Sequence, residues 1–163
     1  MTSVSEDQAV EAEVGAYADF YRDHWQRAVQ LAFVILGNAE AAEDVTQDAL
    51  AKVESRFATL RAPWPYTRVV ILNLCRSEFR RRRREESRLR LVGASQPEAA
   101  EMAPSELLDA IDRLPFRQKA VIVLRFYEDL TEDAIAETLG CRPGTVKSLA
   151  ARALERLAKE VQR

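Results

Sequence analysis

The chain has 163 residues, 47% of them hydrophobic and 31% charged, which suits one soluble domain or two small ones. Only five glycines, among long stretches rich in Ala, Leu, Val, Arg and Glu, predict an all-α fold. A formal net charge of −2 gives no sign of a nucleic-acid partner, but its distribution does. Between Arg76 and Arg90 eight Arg stand against three Glu, and from Arg142 onward six Lys or Arg stand against two Glu. The balancing acid lies elsewhere, at Glu6, Asp7, Glu11 and Glu13 and again at Glu40, Glu43, Asp44 and Asp48. Separated basic and acidic surfaces imply two kinds of partner. The polar opening Met1-Thr2-Ser3-Val4-Ser5-Glu6-Asp7 is unlike an export signal, and the longest apolar stretch, Leu31 to Leu36, is too short to span a bilayer. The expected compartment is the cytoplasm, without membrane insertion.

In chain order, residues 1–14 read as a disordered acidic tail. From Ala16 to Leu36, Phe20, His24, Ala28, Leu31, Ala32, Ile35 and Leu36 recur at helical spacing, and Gly37-Asn38 stops that helix. Asn38 can cap a second helix running through Val53. Its apolar positions Ala42, Val45, Ala49, Leu50 and Val53 leave Glu40, Glu43, Asp44, Gln47 and Asp48 to solvent or a partner. Ser55 to Trp64 reads as a loop or broken helix, because Pro63 and Pro65 do not both fit a regular helix interior. A third helix is predicted from Pro65 or Tyr66 into the run Arg80 to Arg84, closing a first module over 15–86. Residues 87–104, including Gly93-Ala94-Ser95-Gln96-Pro97, lack a core-forming stripe and read as a flexible linker.

The second module, 105–163, opens with a short helix ended by Pro115. The apolar run Ala120 to Leu124 is the expected centre of its core. Leu130 to Gly140 then gives a short helix with Thr131 as N-cap and Gly140 as its stop. Cys141-Arg142-Pro143-Gly144-Thr145 restarts helix, with Pro143 suited to a first-turn position. Val146, Leu149, Ala150, Ala153 and Leu157 form the inward stripe, leaving Arg142, Thr145, Lys147, Ser148, Arg152 and Arg156 outside it. An amphipathic hairpin in any small bundle shares such a stripe and basic face; the tight turn and restart are what mark a helix-turn-helix. That motif places the start of its second helix in a DNA major groove. Gly144 in a first helical turn costs about 1 kcal/mol relative to Ala, which implies close approach to that backbone.

No enzyme site is legible. Cys75 and Cys141 are solitary, without metal-ligand spacing, and read as small apolar fillers. The only histidine, His24, has no nucleophile partner and reads as a surface or boundary residue. No cofactor, metal or small-molecule substrate is expected.

Five motifs in order carry a resemblance. They are Ala42-Glu43-Asp44-Val45-Thr46-Gln47-Asp48-Ala49-Leu50, Tyr66 through Asn73 into the arginine run, Leu114-Pro115-Phe116-Arg117-Gln118-Lys119-Ala120-Val121, Glu128-Asp129-Leu130-Thr131, and Leu139 through Ser148. Together, over roughly residues 16–161, they resemble a bacterial RNA polymerase sigma factor of the extracytoplasmic-function group, nearest its actinobacterial SigE-like members. The resemblance implies two small helical domains, region 2 and region 4, joined by residues 87–104. It implies that Asp44, Gln47 and Asp48 dock on the clamp helices of the polymerase's largest subunit, with the flap of the second-largest subunit as a further contact. Phe57, Arg61, Trp64, Asn73, Arg76, Arg80, Arg81, Arg82, Arg83 and Arg84 would meet the melted −10 strand. Among these, Phe57 and Trp64 are equally readable as core aromatics. Arg142, Pro143, Gly144, Thr145, Lys147, Ser148 and Arg152 would meet the −35 element, with Lys147 and Arg152 readable as base or phosphate contacts.

Glu54, Val69 and the doubled proline around Trp64 depart from the family pattern, all in or beside the segment that selects the −10 base. Promoter DNA, core polymerase and an anti-sigma factor are the implied partners, and the bound chain would be nucleoid-associated. The other reading is a stand-alone helix-turn-helix regulator, which accounts for the second module but gives residues 16–84 no task.

Overall fold

The computed structural model describes residues 6–92 and 106–161, and every regular element among them is helical. Helix α1 spans Glu6–Leu36, α2 Ala39–Glu54, and α3 Pro63–Val92, with a short 3₁₀ turn at Phe57–Thr59 between the last two. Then come α4 Glu106–Asp112, α5 Phe116–Ile122, α6 Glu132–Leu139 and α7 Pro143–Val161.

The expected stripes are the buried ones. Leu31 and Ile35 of α1 meet Leu50 and Val53 of α2 and Ile71 of α3, all essentially out of solvent. Gly37 ends α1 in the left-handed region at φ 65°, and the Asn38 side chain then accepts from the Ala41 N–H at 2.8 Å, opening α2. Such a cap contributes about 1 kcal/mol. In the second module Val121, Leu124, Ile135, Val146 and Ala150 are buried, and a smaller cluster of Ala110, Leu114, Ile122, Ala153 and Leu157 fixes α4 and α5 to α7.

Three boundaries differ from expectation. Residues 6–14, read as disordered tail, are the first turns of α1; Glu, Ala and Gln are strong helix formers. Residues 1–5 lie outside the described residues. Helix α3 begins at Pro63 rather than Pro65, because the first-turn N–H groups have no intrahelical acceptor and two prolines there forfeit nothing. It continues to Val92, beyond residue 86, through a segment where Arg81 pairs with Glu78 and Glu85 one turn either side. The expected linker therefore begins later, and residues 93–104 lie outside the described residues.

The modules are not separate bodies. The larger of the two clusters of buried apolar residues runs through both, from Phe20 and Ile71 through Val121 to Ala150. Lys119 of α5, 2% exposed, donates its ammonium to the carbonyl of Ile35 at the end of α1 (3.1 Å) and to Asp112 (2.8 Å). Gly37 is needed twice here, since a Cβ on it would also strike the Asp112 carboxylate at 2.6 Å.

Candidate nucleic-acid and polymerase interface

Helix α2 turns Ala42, Val45, Ala49 and Leu50 inward, which forces the intervening residues out. Glu40, Glu43, Asp44, Gln47 and Asp48 are all exposed. None has an ion-pair partner among the described residues. This is an acidic row available to a partner outside the chain.

On α3, Asn73 and Arg76 are exposed and line one side of a cleft. Thr138, Leu139 and Gly140, the turn leading into α7, line it too, with Phe116 and Arg117 of α5. The arginine run beyond is not uniform. Arg80, Arg83 and Arg84 stand in solvent, whereas Glu78 engages Arg81 (2.8 Å) and Arg82 (2.9 Å), and Arg82 also reaches the Leu36 carbonyl. The Arg81 hydrogen bonds, followed by those of Arg82, hold the Glu78 carboxyl below the usual carboxylate range.

The helix-turn-helix forms from its capping chemistry. Thr131 Oγ1 accepts from the Ala134 N–H at 3.2 Å, and Gly140 closes α6 at φ 61° with its N–H on the Glu137 carbonyl. Helix α7 then starts at Pro143 and buries Val146, Ala150, Ala153 and Leu157. Arg142, Pro143, Gly144, Lys147, Ser148 and Arg152 are exposed and Thr145 half-buried. A Cβ at Gly144 would meet open space, so nothing within the protein demands glycine there. Lys147 lies 3.6 Å from Glu132, a loose surface pair that a phosphate or base could displace.

Two family models match. Sigma-70 region 2 covers residues 20–85 and Sigma-70, region 4 covers residues 105–157. The chain is 31% identical to RNA polymerase sigma factor SigV of Bacillus subtilis, over 82% of this chain and 83% of that one. It is 30% identical to the RNA polymerase sigma-E factor of Streptomyces coelicolor (91% and 88%) and 32% identical to the ECF sigma factor EcfG of Rhodopseudomonas palustris (78% and 75%). This chain belongs to the extracytoplasmic-function sigma factors of RNA polymerase. Its fold matches two solved structures. One is the sigma factor RpoE in complex with the anti-sigma factor NepR from Bartonella quintana, at TM-score 0.67 and 21% identity, covering 88% of this chain and 97% of that one. The other is CnrH in complex with the cytosolic domain of CnrY, at TM-score 0.68 and 20% identity, covering 94% of each. The chain therefore serves as an alternative sigma factor, and the stand-alone regulator is not favoured.

In this sigma factor the two predicted aromatics are not free platforms. Phe57 is half-buried, its ring 5.4 Å from Tyr17 and 5.3 Å from Phe20. Trp64 is 8% exposed, stacked on His24 and covered by the Arg27 guanidinium at 4.3 Å. Trp64, in the first turn of α3, is a core aromatic, and Phe57 is packed partly buried against that core. Arg61 is exposed beside them. His24, half-buried between Phe20 and Trp64, is a boundary residue as expected. Cys75 is a buried filler whose thiol burial pushes up to about 12.

The Trp64 indole N–H donates at 3.1 Å to Glu128, a residue that no local pattern singles out. Arg68 donates to the same carboxylate at 3.0 Å, and Arg27 through Nε and Nη2 at 3.2 and 3.0 Å. These partners lie 60 to 101 residues from Glu128 in sequence, beyond any periodicity or local motif.

Proposed function

We propose that this sigma factor docks core polymerase through Asp44, Gln47 and Asp48, and holds promoter DNA at two points. Asn73, Arg76, Arg80, Arg83 and Arg84 meet the opened −10 strand, and Arg142, Thr145, Lys147, Ser148 and Arg152 the −35 duplex. The observation that carries the reading is the α2 row, in which adjacent carboxylates have no cationic partner among the described residues, on a helix whose other face is core. Those carboxylates would repel phosphate, so the partner that fits them is a basic protein surface. The clamp helices and flap of core polymerase are the assigned surfaces. Residues 15–86 and 105–163 are the assigned units, the chain performs no catalysis of its own, and it works in the cytoplasm. An anti-sigma factor covering the same faces is the further partner this reading assigns.

The test is promoter-dependent transcription with purified core enzyme, start sites being mapped by sequencing. The double variant D44R/D48R should retain its helical circular dichroism yet lose capture by core roughly tenfold or more, about 1.4 kcal/mol. Undiminished capture would remove those residues from the interface. Duplex binding without core-dependent initiation would restore the stand-alone regulator.

A further inference from the structure

We propose that Glu128 is a built-in anion that plugs a phosphate-binding pocket of the first module and so latches the sigma factor shut. The pocket belongs wholly to α1 and α3. Arg27, Arg68 and Trp64 aim four N–H bonds, of 3.0 to 3.2 Å, at the single Glu128 carboxylate, whose side chain is 1% exposed. Two guanidinium groups face one carboxylate, so the donor set keeps an excess positive charge even when filled. A phosphodiester presents the same pattern as that carboxylate, one negative charge over two free oxygens, and guanidinium forks suit both.

The occupant comes from the other module, and its delivery needs unusual backbone. After Ile122 the chain runs into a wide π-type turn, Val123–Tyr127, closed by the Glu128 N–H on the Val123 carbonyl at 3.1 Å. Asp129 follows in the left-handed region at φ 54°, uncommon for a residue with a side chain although Asp enters it more readily than most. The turn also serves the second module, since it buries Val123 and Leu124 and the Leu130 N–H bonds the Leu124 carbonyl at 3.0 Å on the way to the N-cap Thr131. The turn and Asp129 together aim Glu128 backwards into the first module, beside a second tie from the Tyr127 hydroxyl to Gln30 at 2.9 Å.

Closure excludes promoter reading, an argument that rests on the assignments made above. Asn73 and Gly140 line one cleft, and Pro143, where α7 starts, is within about 10 Å of chain from Gly140. Elements about 25 base pairs apart lie on the order of 80 Å apart along B-DNA at 3.4 Å per step. The modules must part to engage both. Arg68 is five residues before Asn73, about 7.5 Å along the helix and about 140° round it, so the vacated donors offer a phosphate a site on a different face of α3 from Asn73.

The test needs no polymerase. Small-angle scattering should show E128A expanded relative to wild type, and its affinity for a labelled single-stranded dT oligonucleotide should rise about tenfold or more, because the competent form is no longer a minor population. R27A, at a half-exposed site that tolerates truncation, should expand as well but gain no dT affinity, since it loses a phosphate donor. A compact R27A overturns the latch even if E128A fails to fold. Expanded E128A with unchanged dT affinity overturns the plug. Loss of core-dependent transcription by the wild type would instead strike the promoter assignments and leave these measurements standing.

Discussion

Asp44 and Asp48 on α2 stand in solvent without a cationic partner among the described residues, whereas Glu128 is closed off from water by two guanidinium groups and an indole. An exposed carboxylate stays hydrated and costs the fold nothing when unpaired. A buried one is tolerable only when its hydrogen bonds are complete, and removing one side of such a pair costs about 3–5 kcal/mol. The same functional group is thus left open to an outside partner on one surface and committed to an inside partner on the other. Exposure and pairing, more than residue type, separate a docking surface from a clasp.

The comparison breaks most sharply at Glu128. Truncating it strands Arg68, 7% exposed, with no counter-ion. Each module has apolar packing of its own, around Leu31, Leu50 and Ile71 in one and Ile122, Ala153 and Leu157 in the other. The cost should therefore fall on docking, where separation lets Arg68 regain water. Wild type should unfold in urea as one cooperative transition followed by circular dichroism, and E128A in two. The control D44N/D48N should keep the single transition within about 0.5 kcal/mol of wild type. One transition in E128A, merely shifted to lower urea, would place the Glu128 contribution inside a module rather than between them.

A smaller effect sharpens the comparison among cations. Arg80, Arg83 and Arg84 are exposed without an ion-pair partner among the described residues, Arg83 lying over the Phe79 ring at 5.9 Å, while Arg81 and Arg82 are committed to Glu78. Each phosphate contact on a single strand contributes about 0.7 to the salt slope of binding. Replacing Arg80, Arg83 and Arg84 by Ala should reduce the slope for a −10 single strand by about 2, and R81A/R82A by less than half of that. Equal losses would show that the Glu78 pairs dissolve when the strand arrives.

What the sequence disclosed follows from the range of the interactions concerned. The α2 stripe, the Asn38 and Thr131 caps, the Gly140 stop and the inward row of α7 each depend on residues within two helical turns, and all were legible. The start of α1 and both ends of α3 differ from the sequence reading because composition alone does not say whether a charged run stays helical. Trp64 was ambiguous for a different reason. A proline-flanked indole looks like a loop aromatic until the neighbours that bury it, His24 and Arg27, are known. Glu128 was out of reach altogether, since its partners come from the other module and its backbone route through a π-type turn has no composition signature.

The mildest intervention concerns Glu78, which sits between these extremes: partly shielded, bonded to Arg81 and Arg82, and still reached by water. Its carboxyl is held below the ordinary value of 4.5, first by the Arg81 hydrogen bond and then by that of Arg82. A folded-state value below the unfolded one gives stability that is fully present above about 4.5 and is lost as pH falls through the folded value. E78Q should therefore be less stable than wild type at pH 7, by under about 1 kcal/mol because the arginines are solvated. The difference between the two proteins in urea denaturation should shrink steadily below pH 4.5 and nearly vanish once the wild-type carboxyl is protonated. A gap that stayed constant with pH would assign the role of Glu78 to the shape of its hydrogen bonds, not its charge. High salt divides the remainder: screening should weaken the tie to Arg81, 61% exposed, before the tie to Arg82, which is half as open to solvent.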